Sequence, residues 1–419
     1  MTVDLAGRRV LVVGLARSGN AAADVLVAKG ASVVAFDRNE AVETGRLRGL
    51  GVEVHLGREE EKLLQRIDLV VKSPGVPGWT RLVARARRRG IPVWSEIELG
   101  AQLLSNPVLG VTGTNGKTTT SELLGELFRA AGQPVEVAGN VGRPLTSLVD
   151  SVRPDAWIVC ELSSFQLEDV ETLNPEIGVL LNLEPDHLDR HGSFDAYAAT
   201  KLRIFERQSS EDTAVVPRGF GAVPGAGRRV EFGAADELPA EPQIPGRHNR
   251  ENAAAATAAA RAAGISDDAI AKGLRTFPGV PHRIEPVREL RGVRYVNDSK
   301  ATNVAATLRA LASFPGSPLH VILGGRGKAE PYAPLAAAFG PDDRTYLIGE
   351  AAREIASALD AAGVPYSDAG DLGSAFAAAA ANAAAGGIVL LSPACASFDQ
   401  FEDFEARGDE FRRLVEALT

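Results

Sequence analysis

The stretch Gly110-Val-Thr-Gly113-Thr-Asn-Gly116-Lys117-Thr118 restricts this chain more than any other part of it. It stands directly after the apolar run Pro107 to Thr112 and directly before a helical pattern from about Lys117 to Ala131. Glycines in such a turn let backbone N–H groups close around phosphate oxygens, and the following helix adds its free N–H groups and positive dipole end. Lys117 is placed to neutralise charge on the β/γ-phosphates, and the Thr118 hydroxyl to ligate Mg2+. The strict Walker pattern wants Gly at position 111, where this chain has Val, so the turn is a relative of the general P-loop.

A P-loop needs a carboxylate at the end of a neighbouring strand to help hold the metal, and the apolar run Ala156 to Cys160 is followed by Glu161. After another apolar run, Ile177 to Leu181, comes NLEPDHLDRHG with His187, and Lys201 lies 14 residues further on in a helix-like segment. From the residues alone His187 reads as a surface or cap residue or as a metal ligand, Lys201 as a plain surface lysine, and His191 as structural or exposed.

The rest of the chain follows the same grammar of apolar strands and helices. Strands are expected at Arg8–Gly14, Ala31–Asp37, Asp68–Lys72 and near Ile91–Trp94, which makes residues 1–94 a small parallel α/β domain. Residues 95–279 form a second, nucleotide-type domain, with a Gly- and Pro-rich region between Pro217 and Pro245 and an Ala-rich helix Asn252–Ala263. Residues 280–419 form a third, with strands at Val293–Asn297, His320–Leu323, Arg344–Ile348 and Gly387–Leu391. A chain of 419 residues is about three times the common domain size, which agrees with that count.

In the first domain Gly14-Leu-Ala-Arg-Ser-Gly19 is a degraded GxGxxG with Ala16 at the middle glycine, and Asp37 ends the second strand where a dinucleotide-binding fold places its ribose-binding acid. Taken alone this suggests a dinucleotide-dependent oxidoreductase, which leaves Gly-Lys-Thr unexplained. A nucleotide-binding module without catalysis would lack Lys117, Glu161 or His187, and all three are present.

Composition removes other classes. A net charge of -9 argues against a nucleic-acid partner, and the one basic run, Arg81 to Arg89, places its arginines mainly on outward helix faces. Two cysteines, Cys160 and Cys395, outside any cysteine framework favour a reducing compartment. The start MTVDLAGRRVLVVG reads as a strand rather than a signal peptide, and no apolar stretch reaches about 18 residues. A cytoplasmic protein without membrane insertion, and a monomer, is the expectation.

GTNGKTTT (113–120), ELSSFQLE (161–168), NLEPDHLDRH (182–191), YAATKLRIF (197–205), GRHNRENAAAA (246–256), PHRIE (281–285), NDSKATN (297–303), GGRGK (324–328) and LSPACASFDQF (391–401) follow in order. Together they resemble the signatures of the Mur ligase superfamily, over essentially the whole chain. SSFQLE, NDSKATN and SPACASFDQF resemble its D-glutamate-adding branch. Members that add L-alanine, diaminopimelate or folate-linked glutamate are the alternative.

The resemblance implies Rossmann-like first and third domains around a P-loop ATPase-like centre with a mainly parallel sheet. It implies an ATP-dependent ligase that adds D-glutamate to UDP-N-acetylmuramoyl-L-alanine through an acyl phosphate. ATP would be bound by Gly113, Thr114, Asn115, Gly116, Lys117, Thr118, Thr119, Asn252, Arg283 and Asp298. Thr118 and Glu161 would hold one Mg2+, and His187 and Lys201 a second, with Lys201 carbamylated. The UDP substrate would meet Leu15, Ala16, Arg17, Ser18, Asp37, Arg38, Asn39, Ser73, Gly75, Asn140 and Ser163. D-Glutamate would meet Thr302, Lys328, Ser397 and the backbone near Phe404, where a lysine and hydroxyls suit a substrate with two carboxylates.

Overall fold

A computed structural model describes residues 3–244, 246–328 and 330–419. It contains three sheets. The first is made of β1 (Arg9–Val13), β2 (Ser32–Asp37), β3 (Glu53–Leu56), β4 (Leu69–Lys72) and β5 (Val93–Ser95), in the order β3-β2-β1-β4-β5. The second has β6 (Val108–Thr112), β7 (Val135–Gly139), β8 (Trp157–Glu161), β9 (Ile177–Leu180), β10 (Thr213–Pro217) and β11 (Arg228–Phe232), in the order β11-β10-β9-β6-β8-β7. The third has β12 (Glu285–Leu290), β13 (Val293–Asn297), β14 (Leu319–Gly324), β15 (Arg344–Ile348), β16 (Tyr366–Gly370) and β17 (Ile388–Leu391), in the order β12-β13-β17-β14-β15-β16.

The first two sheets belong to one compact unit that runs to Pro242 and resumes over His248–Phe277, and the third to a second unit made of Pro278–Thr419 and the segment 243–247. All pairings are parallel except β12 with β13. Parallel sheets are covered by helices on both faces, so their central strands are apolar throughout. β6, β9, β14 and β17 are buried along their whole length. In open sheets of this kind ligands bind beyond the C-terminal strand ends, where the order of connection reverses. Those ends carry Gly14, Asp37 and Ser73 in the first sheet, Gly113 and Glu161 in the second, and Asp298, Gly325 and Ser392 in the third.

Six strands lie outside the expected set: β3, β7, β10, β11, β12 and β16. Two of them, β10 and β11, run through or beside the Gly- and Pro-rich region. The Ala-rich helix begins earlier than its alanines, at Arg247, and ends at Ala262. The arginine run forms the helix Arg81–Arg88. Four of its arginines have partners: Arg81, Arg85 and Arg89 gather on Glu61, and Arg87 reaches Asp169. Both cysteines are buried and free. Among the described residues no helix is long and apolar enough to cross a membrane.

Candidate active site

The phosphate-type turn lies between β6 and the helix Lys117–Ala130. Gly116 has φ +83°, and a Cβ there would stand 2.3 Å from Asn252 Oδ1. That contact brings Asn252, 136 positions away in sequence, against the turn. Asn252 is buried inside the helix Arg247–Ala262, past its first turn, so it does not cap that helix.

The turn is braced by the segment after β9. Thr114 N–H donates to Asn182 O at 3.1 Å and Asn115 N–H to Asn182 Oδ1 at 2.8 Å. The Asn115 amide donates to Glu184 Oε2 at 2.8 Å, and the Thr114 hydroxyl meets the Tyr197 hydroxyl at 2.9 Å. Asn182, Glu184 and Tyr197 lie in the NLEPDHLDRH and YAATKLRIF signatures but were not among the expected site residues, because partners 67 to 83 positions away leave no pattern of spacing.

Two lysines converge on one oxygen. Lys117 Nζ donates to Gly113 O and Thr114 O, each at 2.8 Å, and Lys201 Nζ donates to Gly113 O at 2.8 Å. Lys201 is buried in the helix Phe194–Leu202 and sits 4.9 Å over the Tyr197 ring. Burial, and then the neighbouring Lys117 charge, lower its pKa to about 7, against the pull of Asp186 and Glu161. This is no surface lysine.

Glu161 ends β8, paired beside β6, and is buried. Its Oε1 accepts from the Asn140 amide at 3.0 Å, and Asn140 N–H donates to Glu161 O at 2.9 Å. Thr118 and Thr119 are buried in the first turn of the helix after the P-loop. Ser163 caps the short helix Ser164–Leu167 through a reciprocal pair of bonds with Gln166. His187 adopts a left-handed backbone, φ +50°, with its ring half-exposed and 3.5 Å from Asp186. His191 is bonded to Ser164 at 3.1 Å and stacks on Phe165, in line with a structural role.

In the first sheet Asp37 accepts the Leu15 N–H at 2.6 Å and the Asn39 N–H at 2.8 Å, so its carboxylate organises two loops. Ser73 is buried and donates to Gly14 O at 2.9 Å. A Cβ at Gly19 would stand 1.8 Å from Gly14 O. The outer glycines of the degraded motif are thus fixed by packing, while Ala16 occupies the helix N-cap. Arg17 donates to Gly142 O at 3.0 Å, Ser18 is half-buried and Gly75 borders open space. Arg38 is exposed and paired with Glu59 at 2.6 Å, and Asn39 is exposed.

In the second unit Lys328 Nζ and Thr302 Oγ1 lie 3.3 Å apart. Ser397 is buried, and Phe404 begins the helix Phe404–Glu416, its carbonyl accepting from the Ser299 hydroxyl at 2.8 Å. Arg283 lies between His282 and Ile284, both left-handed at φ +61° and +45°. Asp298 is buried with its oxygens on Ile284 N–H at 3.1 Å and the Ser392 hydroxyl at 2.7 Å, and burial raises its pKa to about 7. It is first of all a brace between loops. Arg407, unmarked in the sequence, is fully buried and donates to Ser299 O at 2.8 Å and Cys395 O at 3.2 Å. It joins the two loops that carry Asp298 and Ser397.

Family models agree with this layout. Residues 8–95 match a Mur ligase MurD-like N-terminal domain, 111–220 the Mur ligase middle domain, and 282–395 the Mur ligase glutamate ligase domain. A protein of Anaeromyxobacter dehalogenans named UDP-N-acetylmuramoylalanine--D-glutamate ligase is 46% identical, covering 98% of each chain. One of the same name from Acidobacterium capsulatum is 43% identical over 99% of this chain and 97% of its own. Among solved structures, MurF of Acinetobacter baumannii has a TM-score of 0.62 at 18% identity, covering 96% of this chain and 93% of that one. At that identity the likeness speaks for the fold alone. The full-length relatives carry the assignment: the chain belongs to the Mur ligase family.

Proposed function

We propose that the protein adds D-glutamate to UDP-N-acetylmuramoyl-L-alanine at the expense of ATP, through an acyl phosphate, in peptidoglycan precursor synthesis. The observation that carries this is full-length identity of 40–46% to relatives bearing that ligase name. The phosphate turn, Glu161 and Lys201 gathered at one end of the second sheet supply the chemistry it needs. The protein works as a monomer in the cytoplasm, with the first 94 residues holding the UDP group, residues 95–279 ATP, and residues 280–419 the amino acid.

A carboxylate cannot give an amide directly, because oxide is too poor a leaving group. The γ-phosphoryl of ATP therefore passes to the substrate carboxylate, with ADP leaving. The D-glutamate amine then adds to the acyl carbon and phosphate departs. Anions meet in both steps, so catalysis is chiefly positioning and charge neutralisation. Lys117 and the N–H groups of the turn hold the phosphates. Thr302 and Lys328 receive the carboxylates of D-glutamate, with Ser397 and the Phe404 backbone beside them.

Thr118 and Glu161 offer the hard oxygens that Mg2+ prefers and would hold one ion, while His187 would share a second with Lys201 only once carbamylation has given that lysine oxygen donors. Among the described residues no group of three His, Cys, Asp or Glu side chains could hold a metal. The set must then be completed by phosphate oxygens and water, as Mg2+ sites commonly are. Bound there, Mg2+ would neutralise charge on the phosphate oxygens.

Lys201 fits carbamylation. Its amine is buried beside a second ammonium, and its pKa of about 7 leaves much of it unprotonated at neutral pH. Once the ammonium has given up one proton, the neutral amine nitrogen adds to the carbon of CO2 and releases a second, so that a repelled cation becomes a carboxylate-like anion facing Lys117.

Phosphate release tests the specificity directly. With ATP, Mg2+ and UDP-N-acetylmuramoyl-L-alanine, D-glutamate is expected to support turnover at least about 100-fold better than L-glutamate, L-lysine or diaminopimelate. A better rate with another amino acid would move the protein to a different branch of the same family.

A further inference from the structure

The loop that carries His187 is held by a side chain with no role in the chemistry above. The Arg190 side chain is 7% exposed and sets its fork on Glu168, Nε to Oε1 at 2.9 Å and Nη2 to Oε2 at 2.7 Å. Its other donations go to carbonyls of the first sheet's loop, Nη1 to Pro74 O at 2.8 Å and Nη2 to Val76 O at 3.3 Å. The guanidinium lies over the Phe165 ring, 3.9 Å from its centre. Phe165 in turn packs on the His187 ring, with centroids 4.7 Å apart. Arg190 N–H also donates to His187 O at 3.0 Å.

A second cation lies beside the same loop. Lys72 is fully buried, donates to Val76 O at 3.0 Å, and lies 3.0 Å from Asp169 and 3.4 Å from Glu168. Arg87 reaches the other Asp169 oxygen. Buried ionic clusters seldom stabilise a fold better than apolar packing would, so the geometry they impose is the better guide to their use. Here that geometry joins the loop Ser73–Val76 to a histidine whose left-handed backbone must be held by its surroundings.

We propose that Arg190 is a positioning residue that fixes His187 relative to the loop Ser73–Val76, so that binding of the UDP end of the substrate places its carboxylate for phosphoryl transfer. This rests on the reading that the UDP group binds at that loop. Remote binding interactions of this kind raise kcat by orienting the reacting end, and a misplacement of about 1 Å costs about 100-fold. Lysine keeps the charge at position 190 but cannot reproduce a planar fork that serves a carboxylate and two carbonyls.

Steady-state kinetics of the full chain carrying Arg190→Lys, Phe165→Leu or Gly75→Leu test this. Arg190→Lys is expected to lower kcat about 100-fold and to raise KM for UDP-N-acetylmuramoyl-L-alanine about tenfold, with KM for ATP within about twofold. Phe165→Leu is expected to lower kcat with a smaller change in that KM, and it decides the question should Arg190→Lys fail to fold. If kcat stays within about threefold of the parent, or if KM for ATP rises in step, Arg190 is only a structural tie and the proposal fails. A Cβ at Gly75 meets open space, so Gly75→Leu tests the loop itself. If it leaves KM for the UDP substrate unchanged, the UDP placement is wrong and the proposal falls with it. If it raises that KM while Arg190→Lys leaves kcat intact, the coupling alone is wrong.

Discussion

Lys117→Met is expected to lower the rate of phosphate release by about a thousandfold or more while leaving the thermal midpoint nearly unchanged. In the proposed reaction its ammonium neutralises the charge of the phosphates during transfer. Its bonds in the structure go to Gly113 O and Thr114 O, acceptors that water can also serve. Steady-state rates with saturating ATP, beside a melting curve, separate the two effects. A variant that keeps more than about a tenth of parental kcat would contradict the P-loop account.

Lys201→Met should likewise lose about a thousandfold in kcat, yet it should stabilise the fold at low pH. The folded pKa of Lys201 is about 7, well below its ordinary 10.5. A depressed pKa contributes stability above the unfolded value, and that contribution is lost as pH falls through the folded value. In decarbonated buffer at pH 6 the parent therefore carries a charged, buried amine that methionine removes. The expected gain is about 1–3 kcal/mol at pH 6, shrinking as pH approaches 10. Melting curves across that range check the sign. The parent should also lose activity in decarbonated buffer and regain it with bicarbonate. An active Lys201→Met variant, or one less stable than the parent at pH 6, would remove the carbamate from the account.

The centre of the site was legible in the sequence because its signal is local. Gly116, Lys117 and Thr118 are consecutive where a strand gives way to a helix, and the glycine is required by a left-handed backbone. Glu161 was legible for a similar reason, as the acid that ends an apolar run. The missed strands are mostly short, polar or at sheet edges. β11 reads RRVEF with little buried, β16 reads YSDAG, and β12 reads EPVREL on the antiparallel edge. Edge strands lack the continuous apolar run that parallel pairing between two helix layers demands.

Long-range partners were not legible from spacing at all. Asn252 against Gly116 could be named only through the family resemblance, and the structure explains it by close approach of the two. Arg407 was missed because its acceptors are largely backbone carbonyls, which leave no trace in residue type, and Arg190 because Glu168, Pro74 and Val76 lie 22 to 116 positions away. Asp298 was read as a nucleotide contact, while its burial and bonds to Ile284 and Ser392 give it a bracing role as well. The first sheet's glycines, read as a weakened dinucleotide motif, serve the close packing of Gly14 against Gly19 and Ser73.

The most direct test follows the oxygen that the substrate carboxylate must give up. UDP-N-acetylmuramoyl-L-alanine labelled with 18O in both carboxylate oxygens is incubated with ATP, Mg2+ and D-glutamate, and the released phosphate is analysed by mass. One 18O in each phosphate, with one retained in the new amide, is the predicted result. Unlabelled phosphate released in step with product would contradict an acyl phosphate and with it the central claim.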